Sequence, residues 1–483
     1  MASLRQETAR GVKWLVGAGF LQKFLSVGTM VVLARILDPA DFGLFALAFV
    51  AINALSLFKS MGFDSALIQR KDDIEVAAST AFFIIPILGI GLFFILIFSA
   101  PIIGSFLNSV EVVPVMRALG LVFIFSCFAN VPKALLRKDM RIGKVALSET
   151  IGSVCNTVVA ITCALAGKGV WSLVYGYLVK TIVIMITVWS FSDWRPKFKF
   201  NFRIALEMFT FGKYLILGGV MWFLKMNLDN LLVGKLLGVT ALGIYALAFN
   251  ASNFIADYFG SKIYQVIFPA YSKVQHNIEQ LKHAALKTLK ILSTVSLPVG
   301  LALVLLSKEL VLCVYGDKWS PVIPVLKILA FGGVLNCLPV GFGAILVALG
   351  KSKKGFWVIF TQVFIYFILI VPFAKTMGIV GVGLVVTFAS LVAFIISLVW
   401  SMALLNISAK EIYHSMRTSI VSTVIMGYGI ILAKILYAHF SPQDGFYAVN
   451  FIFLAAVSVV MYNASLFIFE RPFLKELRDL VVL

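Results

Sequence analysis

Apolar residues in this chain come in long blocks separated by short polar stretches. The block at 81–97 runs seventeen residues without a charged or strongly polar side chain. A helix crossing a bilayer needs about 20 mainly apolar residues. Windows of that length predict fourteen membrane helices, at 13–35, 42–62, 77–100, 113–132, 145–166, 170–191, 211–233, 241–268, 288–307, 322–348, 355–374, 379–405, 418–438 and 446–469. The first and seventh are the least hydrophobic. Pro86, Pro298, Pro339 and Pro372 fall inside spans and predict kinks, which membrane helices tolerate. A barrel would instead show short segments alternating apolar and polar residues. The expected fold class is therefore an all-α polytopic membrane protein.

Composition agrees. Of 483 residues, 61% are hydrophobic and 13% charged, against roughly 45–50% and about 25% in soluble chains. That excludes a soluble enzyme, a secreted disulfide scaffold and a disordered regulator. The net charge is +19, from 41 Lys and Arg against 22 Asp and Glu. In a soluble chain such an excess would suggest nucleic acid. Here it marks topology, so no nucleic-acid partner is expected. Alternate loops carry 27 basic residues on one side and seven on the other, which predicts cytosolic N- and C-termini. The basic side includes Arg5, Arg10 and Lys13, the run Lys133, Arg137, Lys138, Arg141 and Lys144, and Arg471, Lys475 and Arg478.

The N-terminal stretch lacks a small-residue cleavage site and reads as a first span that stays in place. Cys127, Cys155, Cys163, Cys313 and Cys337 form no C-x-x-C pair and read as small apolar packing residues. The longest loops, such as 271–286, are too short to form a nucleotide-hydrolysing or catalytic module.

An internal repeat appears when residues 11–53 are laid on 211–253. Eleven of the 43 positions are identical, including Lys13 with Lys213, Leu15 with Leu215, Gly43 with Gly243, Ala46–Phe49 with Ala246–Phe249, and Asn53 with Asn253. Trp14 also faces Tyr214. Spans 1–6 then repeat as spans 7–12 in the same orientation, with spans 13 and 14 added. The expected domains are residues 1–200, 201–408 and 409–483. Two parallel bundles of six helices are a known transporter plan, with the substrate path between them.

Charges inside spans cost roughly 2.5–3.5 kcal/mol each and usually face a cavity or a partner. Lys23, Lys225 and Lys180 sit mid-span, and Lys59 and Lys262 lie towards cytosolic span ends. The matching carboxylates are Asp229, Asp257 and Glu149. Lys225 and Asp229, four apart, can neutralise each other, and Lys59 and Lys262 can reach the interface. Lys23 has no carboxylate within a turn. With Asn227 and Asn230, the pattern predicts a hydrated cationic cleft between spans 1, 2, 7 and 8, suited to a phosphate or pyrophosphate group. Asp229, Asp257 and Glu149 are the candidate coupling-ion sites. The string Gly350-Lys351-Ser352 lacks the earlier glycine of a phosphate-binding loop. His276, His283, His414 and His439 are too scattered for a metal site. No metal, cofactor or convergent acid–base set is expected, and so no enzyme.

Several segments carry a family resemblance: LARILDPADFGLFALAF (33–49), GFDSALIQRKD (62–72), GKGVWSLVYGYL (167–178), NLDNLLVGKLLGVTALGIYALAF (227–249), FPAYSKVQHN (268–277) and YGDKWSPVIPVLKILAF (315–331). The chain resembles the bacterial polysaccharide transporter family of the multidrug/oligosaccharidyl-lipid/polysaccharide exporter superfamily, in the branch with colanic acid and teichuronic acid exporters. The resemblance implies two six-helix lobes in a V shape with two extra helices. It implies a flippase in the bacterial cytoplasmic (inner) membrane, moving undecaprenyl-pyrophosphate-linked oligosaccharide outward by alternating access for surface polysaccharide, lipopolysaccharide included. With no nucleotide site, coupling is expected to an ion gradient (proton or sodium), to the membrane potential or to the substrate's own gradient, and the polysaccharide polymerase machinery is a candidate partner. Asp229 and Asn227 match the family's span-7 pattern. Lys23, Lys59, Lys225 and Lys262 occupy places where relatives often carry Arg, a more geometric phosphate partner. The rival reading is an ion-coupled multidrug efflux transporter of the same superfamily. A pump for organic cations would favour buried acidic residues, whereas lysine outnumbers carboxylate in these spans.

Overall fold

The computed structural model describes residues 2–440 and 447–470, and side chains from residue 17 onward except 211–217, 438 and 440. The side chains of the N-terminal basic residues Arg5, Arg10 and Lys13 and of the matches Lys13–Lys213, Trp14–Tyr214 and Leu15–Leu215 lie outside that description, as do the tail residues Arg471, Lys475 and Arg478 altogether.

Two compact units divide the chain, Met1–Gly243 and Ile244–Leu483. The first holds α1 (Ala2–Ile36), α2 (Pro39–Ser56), α3 (Phe63–Gln69), α4 (Ile74–Phe106), α5 (Val112–Lys138), α6 (Ile142–Leu165), α7 (Trp171–Phe191) and α8 (Phe202–Leu237). Its last residues open α9 (Val239–Ile255). The second unit continues through a π-helical turn (Ala256–Gly260) into α10 (Ser261–Val274), α11 (Ile278–Leu305), α12 (Ser307–Leu310), α13 (Val322–Cys337), α14 (Val340–Ala348), α15 (Ser352–Leu405), α16 (Ala409–Phe440) and α17 (Tyr447–Phe469). No strand occurs among the described residues.

Twelve helices among the described residues are long and apolar enough to cross a membrane. One of them, α15, has 54 residues. At 1.5 Å per residue it is about 80 Å long, more than twice a hydrocarbon core of about 30 Å. It breaks at Gly378, whose φ of 59° and ψ of −142° are non-helical, so it has the length of two crossings. Bulky apolar side chains face outward, with Phe98 74%, Ile102 73% and Phe367 73% exposed. Such a surface is stable only in lipid, where the helices satisfy their own backbone polar groups.

Helix starts follow local chemistry. Asp38 precedes α2, Pro39 sits in its first turn, and the Asp41 carboxylate accepts the Asp38 backbone N–H at 3.1 Å. The Asn201 side chain accepts from the N–H groups of Arg203 (2.9 Å) and Ile204 (3.2 Å) at the start of α8. Asn277 does the same for Gln280 at 3.0 Å and starts α11. That cap corrects the sequence reading of 271–286 as a loop. Helix continues on both sides, through Val274 and from Ile278, because the polar ends of these helices run past the apolar spans. The span expected to end at residue 62 also stops at Ser56, and the short α3 follows it. Pro339 separates α13 from α14, whereas Pro86, Pro298 and Pro372 sit within continuous helices.

The repeat has a physical counterpart within Met1–Gly243. A Cβ on Gly43 would collide with the Val239 carbonyl oxygen, and a Cβ on Gly243 would collide with that of Pro39. All four residues pair at the same offset of 200, since 39 matches 239 and 43 matches 243. Residues 39–43 at the start of α2 and residues 239–243 therefore cross reciprocally. Further along, α5 matches α13–α14 at offset 210, with Val112/Val322, Pro114/Pro324, Val115/Val325, Leu119/Leu329, Cys127/Cys337 and Ala134/Ala344 identical. Both cysteines are fully buried.

Candidate functional site

The helical hairpin of α5 and α6 sets up the site. Its turn centres on Arg141, and long side chains equally distant from the turn bridge the two helices. Lys133 and Glu149, eight on either side, meet with Nζ to Oε1 at 2.6 Å. Arg137 approaches the same Oε1 at 3.9 Å. Lys180 of α7 lies within electrostatic reach of both Glu149 and Lys133. Lys59, in the turn after α2, lies within reach of Lys133 and Asp64. Its carbonyl accepts the Cys127 thiol at 3.9 Å. Three cations thus stand at Glu149, and Lys59 joins them through Lys133 with Asp64 beside it, the latter already held by Ser60 at 3.0 Å. Charge-assisted bonds of this kind are the strong ones, and the surplus of positive charge suits an anion with several oxygens.

Other basic residues of this unit serve structure. The Lys138 ammonium donates to the carbonyls of Leu67 and Ile68, each at 3.1 Å, and to that of Arg70, closing the C-terminus of α3. Arg70 pairs with Glu207 at 3.1 Å and Lys197 with Glu75 at 2.5 Å. Arg141 pairs with Asp193 at 2.5 Å, outside the spans. That hydrogen bond holds the Asp193 carboxyl below its ordinary value and raises the Arg141 guanidinium.

The remaining candidates of this unit lie on α1 and α8. The neighbour of Lys23, Gln22, docks on α6 by donating to the Ala146 carbonyl (3.2 Å) and the Thr150 hydroxyl (3.0 Å). One helical face further along, the Thr29 and Thr157 hydroxyls meet at 2.6 Å. The Lys225 ammonium stands over the Trp222 ring at 5.4 Å. The Asn53 amide reaches Asn227 Oδ1 at 3.5 Å, which joins α2 to α8. Asp229 is fully buried, and its Oδ1 accepts the Asn230 backbone N–H at 2.8 Å.

In the second unit Asp257 is exposed on the π-helical turn, its carbonyl accepting from Ser261 at 2.5 Å. Lys262 follows at the start of α10. Such turns inside helices often mark functional positions. Asn253, the repeat mate of Asn53, is buried and accepts from Asn336 at 3.1 Å.

The structure therefore joins Lys59, Lys180 and Glu149 in one cluster, and Asn227 with Asn53 in another. Lys133 and Arg137 belong to the cluster, although in the sequence they read only as topology-setting cations. The signal for them was the hairpin symmetry about residue 141. Among the described residues no group of three or more His, Cys, Asp or Glu is placed to hold a metal ion.

An all-helical, lipid-facing chain with an internal repeat and a cationic cluster among its helices is, as a class, a multi-pass membrane protein built on a transporter plan. Residues 32–324 match the family described as "Polysaccharide biosynthesis protein", and the chain belongs to that family. It is 28% identical over 388 residues to the lipopolysaccharide biosynthesis protein WzxC of Escherichia coli, covering 79% of this chain and 78% of that one. It is 25% identical over 450 residues to the teichuronic acid biosynthesis protein TuaB of Bacillus subtilis, with 92% of each covered. Its fold is similar to that of the lipid II flippase MurJ in an inward closed conformation, with a TM-score of 0.77, 15% identity, and 95% of this chain and 99% of that chain covered.

Proposed function

We propose that this chain is a flippase of the bacterial cytoplasmic membrane that moves undecaprenyl-pyrophosphate-linked oligosaccharide units to the outer leaflet for surface polysaccharide biosynthesis. The observation that carries the reading is the gathering of Lys133, Arg137 and Lys180 at Glu149, with Lys59 beside Lys133, in a chain of a polysaccharide biosynthesis family. A pyrophosphate offers several acceptor oxygens to such a cluster, and the cations replace part of the water it loses. The glycan itself needs only a path.

In this reading fourteen helices cross the membrane with both termini cytosolic. Residues 1–200 and 201–408 are the two six-helix lobes, and 409–483 adds two helices. Translocation proceeds by alternating access, with no covalent chemistry by the protein. Lys23, Lys225, Lys262, Asn227 and Asn230 are further substrate contacts. A proton or sodium ion couples through Asp229, Asp257 or Glu149. The product is handed to polymerase machinery on the far side.

The test is reconstitution in liposomes with a fluorescent undecaprenyl-pyrophosphate oligosaccharide and a membrane-impermeant quencher, with and without a pH or sodium gradient. Wild type exposes the inner pool, and Lys133→Gln/Lys180→Gln slows this at least about tenfold, the loss of one strong charge-assisted contact. Lys23→Ala/Lys225→Ala is run beside it. Undiminished flipping in the first pair removes the cluster from the substrate path. Gradient-driven movement of an organic cation, with no flipping of the lipid, replaces the proposal by drug efflux.

A further inference from the structure

We propose that the end of the second unit where α11 and α16 begin is a binding site for the anionic phosphate headgroup of a membrane phospholipid. The two helices run parallel and in register. Lys282 pairs with Glu411 at 2.8 Å, the Ser415 hydroxyl donates to the Leu286 carbonyl at 2.7 Å, and the Thr294 and Ser419 hydroxyls meet at 2.9 Å. Near the far end Lys434 donates to the Leu305 carbonyl at 2.5 Å. Parallel packing puts both N-termini, and so both positive dipole ends, on the same side.

At that side lies a cavity of about 540 Å³ lined by Lys287, Lys290, Lys410 and Arg417 together with Glu411 and Glu470. This volume is ordinary for a small-ligand site. Both carboxylates are engaged by protein donors. Glu411 is held by Lys282 and by the Ser408 N–H (2.8 Å) and hydroxyl (2.9 Å), and Glu470 by Lys290. Among the described residues that line it, Lys410 and Arg417 add positive charge beyond the lysines that hold the two carboxylates, and this favours an anion.

The surface of α16 says which kind of anion. Tyr413, Arg417, Val421 and Val424 follow one another at helical spacing on one exposed face. Tyr413 is 62% exposed, Val421 42% and Val424 48%. An exposed tyrosine next to the cationic end, with an apolar stripe continuing from it, is the pattern of a bilayer interface. A phosphate in the cavity would leave acyl chains to run along Val421 and Val424. Basic pockets between membrane helices recognise lipid headgroups in this way. A free phosphate would gain nothing from the stripe.

The full-length protein in detergent is titrated with phosphatidylglycerol and, separately, with phosphatidylcholine of the same chains, and bound lipid is counted by native mass spectrometry. Phosphatidylglycerol is retained preferentially. Lys410→Gln/Arg417→Gln lowers its apparent affinity about tenfold or more and leaves phosphatidylcholine unchanged. Lys410→Arg/Arg417→Lys keeps the preference. If the double neutral variant fails to fold, the exposed Lys410→Gln alone gives a smaller loss in the same direction. Equal retention of both lipids by wild type, or undiminished phosphatidylglycerol binding by a folded neutral variant, overturns the proposal. Inorganic phosphate at millimolar concentration that displaces phosphatidylglycerol fully assigns the site to a free anion and overturns the lipid.

Discussion

The reciprocal crossing of α2 and α9 yields a sharp double-mutant prediction. Gly43→Ala places a methyl group on the Val239 carbonyl, and the Gly243 backbone nitrogen is a further 3.1 Å neighbour. The obstacle is backbone, so no rotamer change can absorb it and the helices must part. Overpacking of that kind costs about 3 kcal/mol, the upper part of the usual range. Replacing glycine by alanine inside a helix returns about 1 kcal/mol of propensity. The single variant should lose about 2 kcal/mol net, and Gly243→Ala should lose the same through the Pro39 carbonyl. Once the crossing has opened for one methyl it has opened for both, because the contacts are reciprocal. The double variant gains propensity twice and meets the steric cost once, so it should lose only about 1 kcal/mol. The coupling is about 3 kcal/mol in favour of the pair. Unfolding of the four proteins in one detergent, by denaturant or steric trapping, measures it. Additive losses, or single variants within 0.5 kcal/mol of wild type, would refute the crossing as described.

Three further outcomes follow from particular contacts. Glu309 is nearly buried and its Oε1 is held by Lys434 at 2.7 Å. Lys434→Met should cost about 3 kcal/mol by leaving a buried carboxylate unpaired, and adding Glu309→Leu should recover most of it in the same unfolding assay. Gly378→Ala forces a side chain into a backbone region that only glycine adopts freely, so a loss of about 1–3 kcal/mol is expected, visible as a lower unfolding midpoint. The Asp193 carboxyl is held low by Arg141, so its contribution is present above the ordinary carboxylate range and is lost as pH falls through the lowered value. Asp193→Asn should therefore lower the midpoint slightly at neutral pH and leave it unchanged in strong acid. A difference that persists in acid would point to packing instead of charge.

The helices and their lipid-facing character were legible in the apolar blocks, because a bilayer demands about twenty apolar residues regardless of what each helix touches. The break between the eleventh and twelfth expected spans, 374 to 379, falls on Gly378, which the structure finds non-helical. The repeat was legible because a crossing without room for a Cβ keeps glycine at 43 and 243. Helix ends were read less well. Polar residues at 271–286 looked like a loop, but polarity there reflects helix extending into water, and only the cap at Asn277 marks the true boundary.

The site divides in the same way. Sequence alone determined that Lys59, Lys180 and Glu149 are costly in a membrane and need a partner or a cavity, since burial of charge is a property of the residue and its span. It also determined the membrane setting and the repeat register. It could not decide that Lys133 and Arg137 close on Glu149, that Lys138 closes α3, or that Lys282 and Glu411 align α11 with α16. Those pairings depend on which helix faces meet. Faces are set by the packing of helices far apart in the chain, as where Asn53 meets Asn227 174 residues on, and only the tertiary structure fixes that packing.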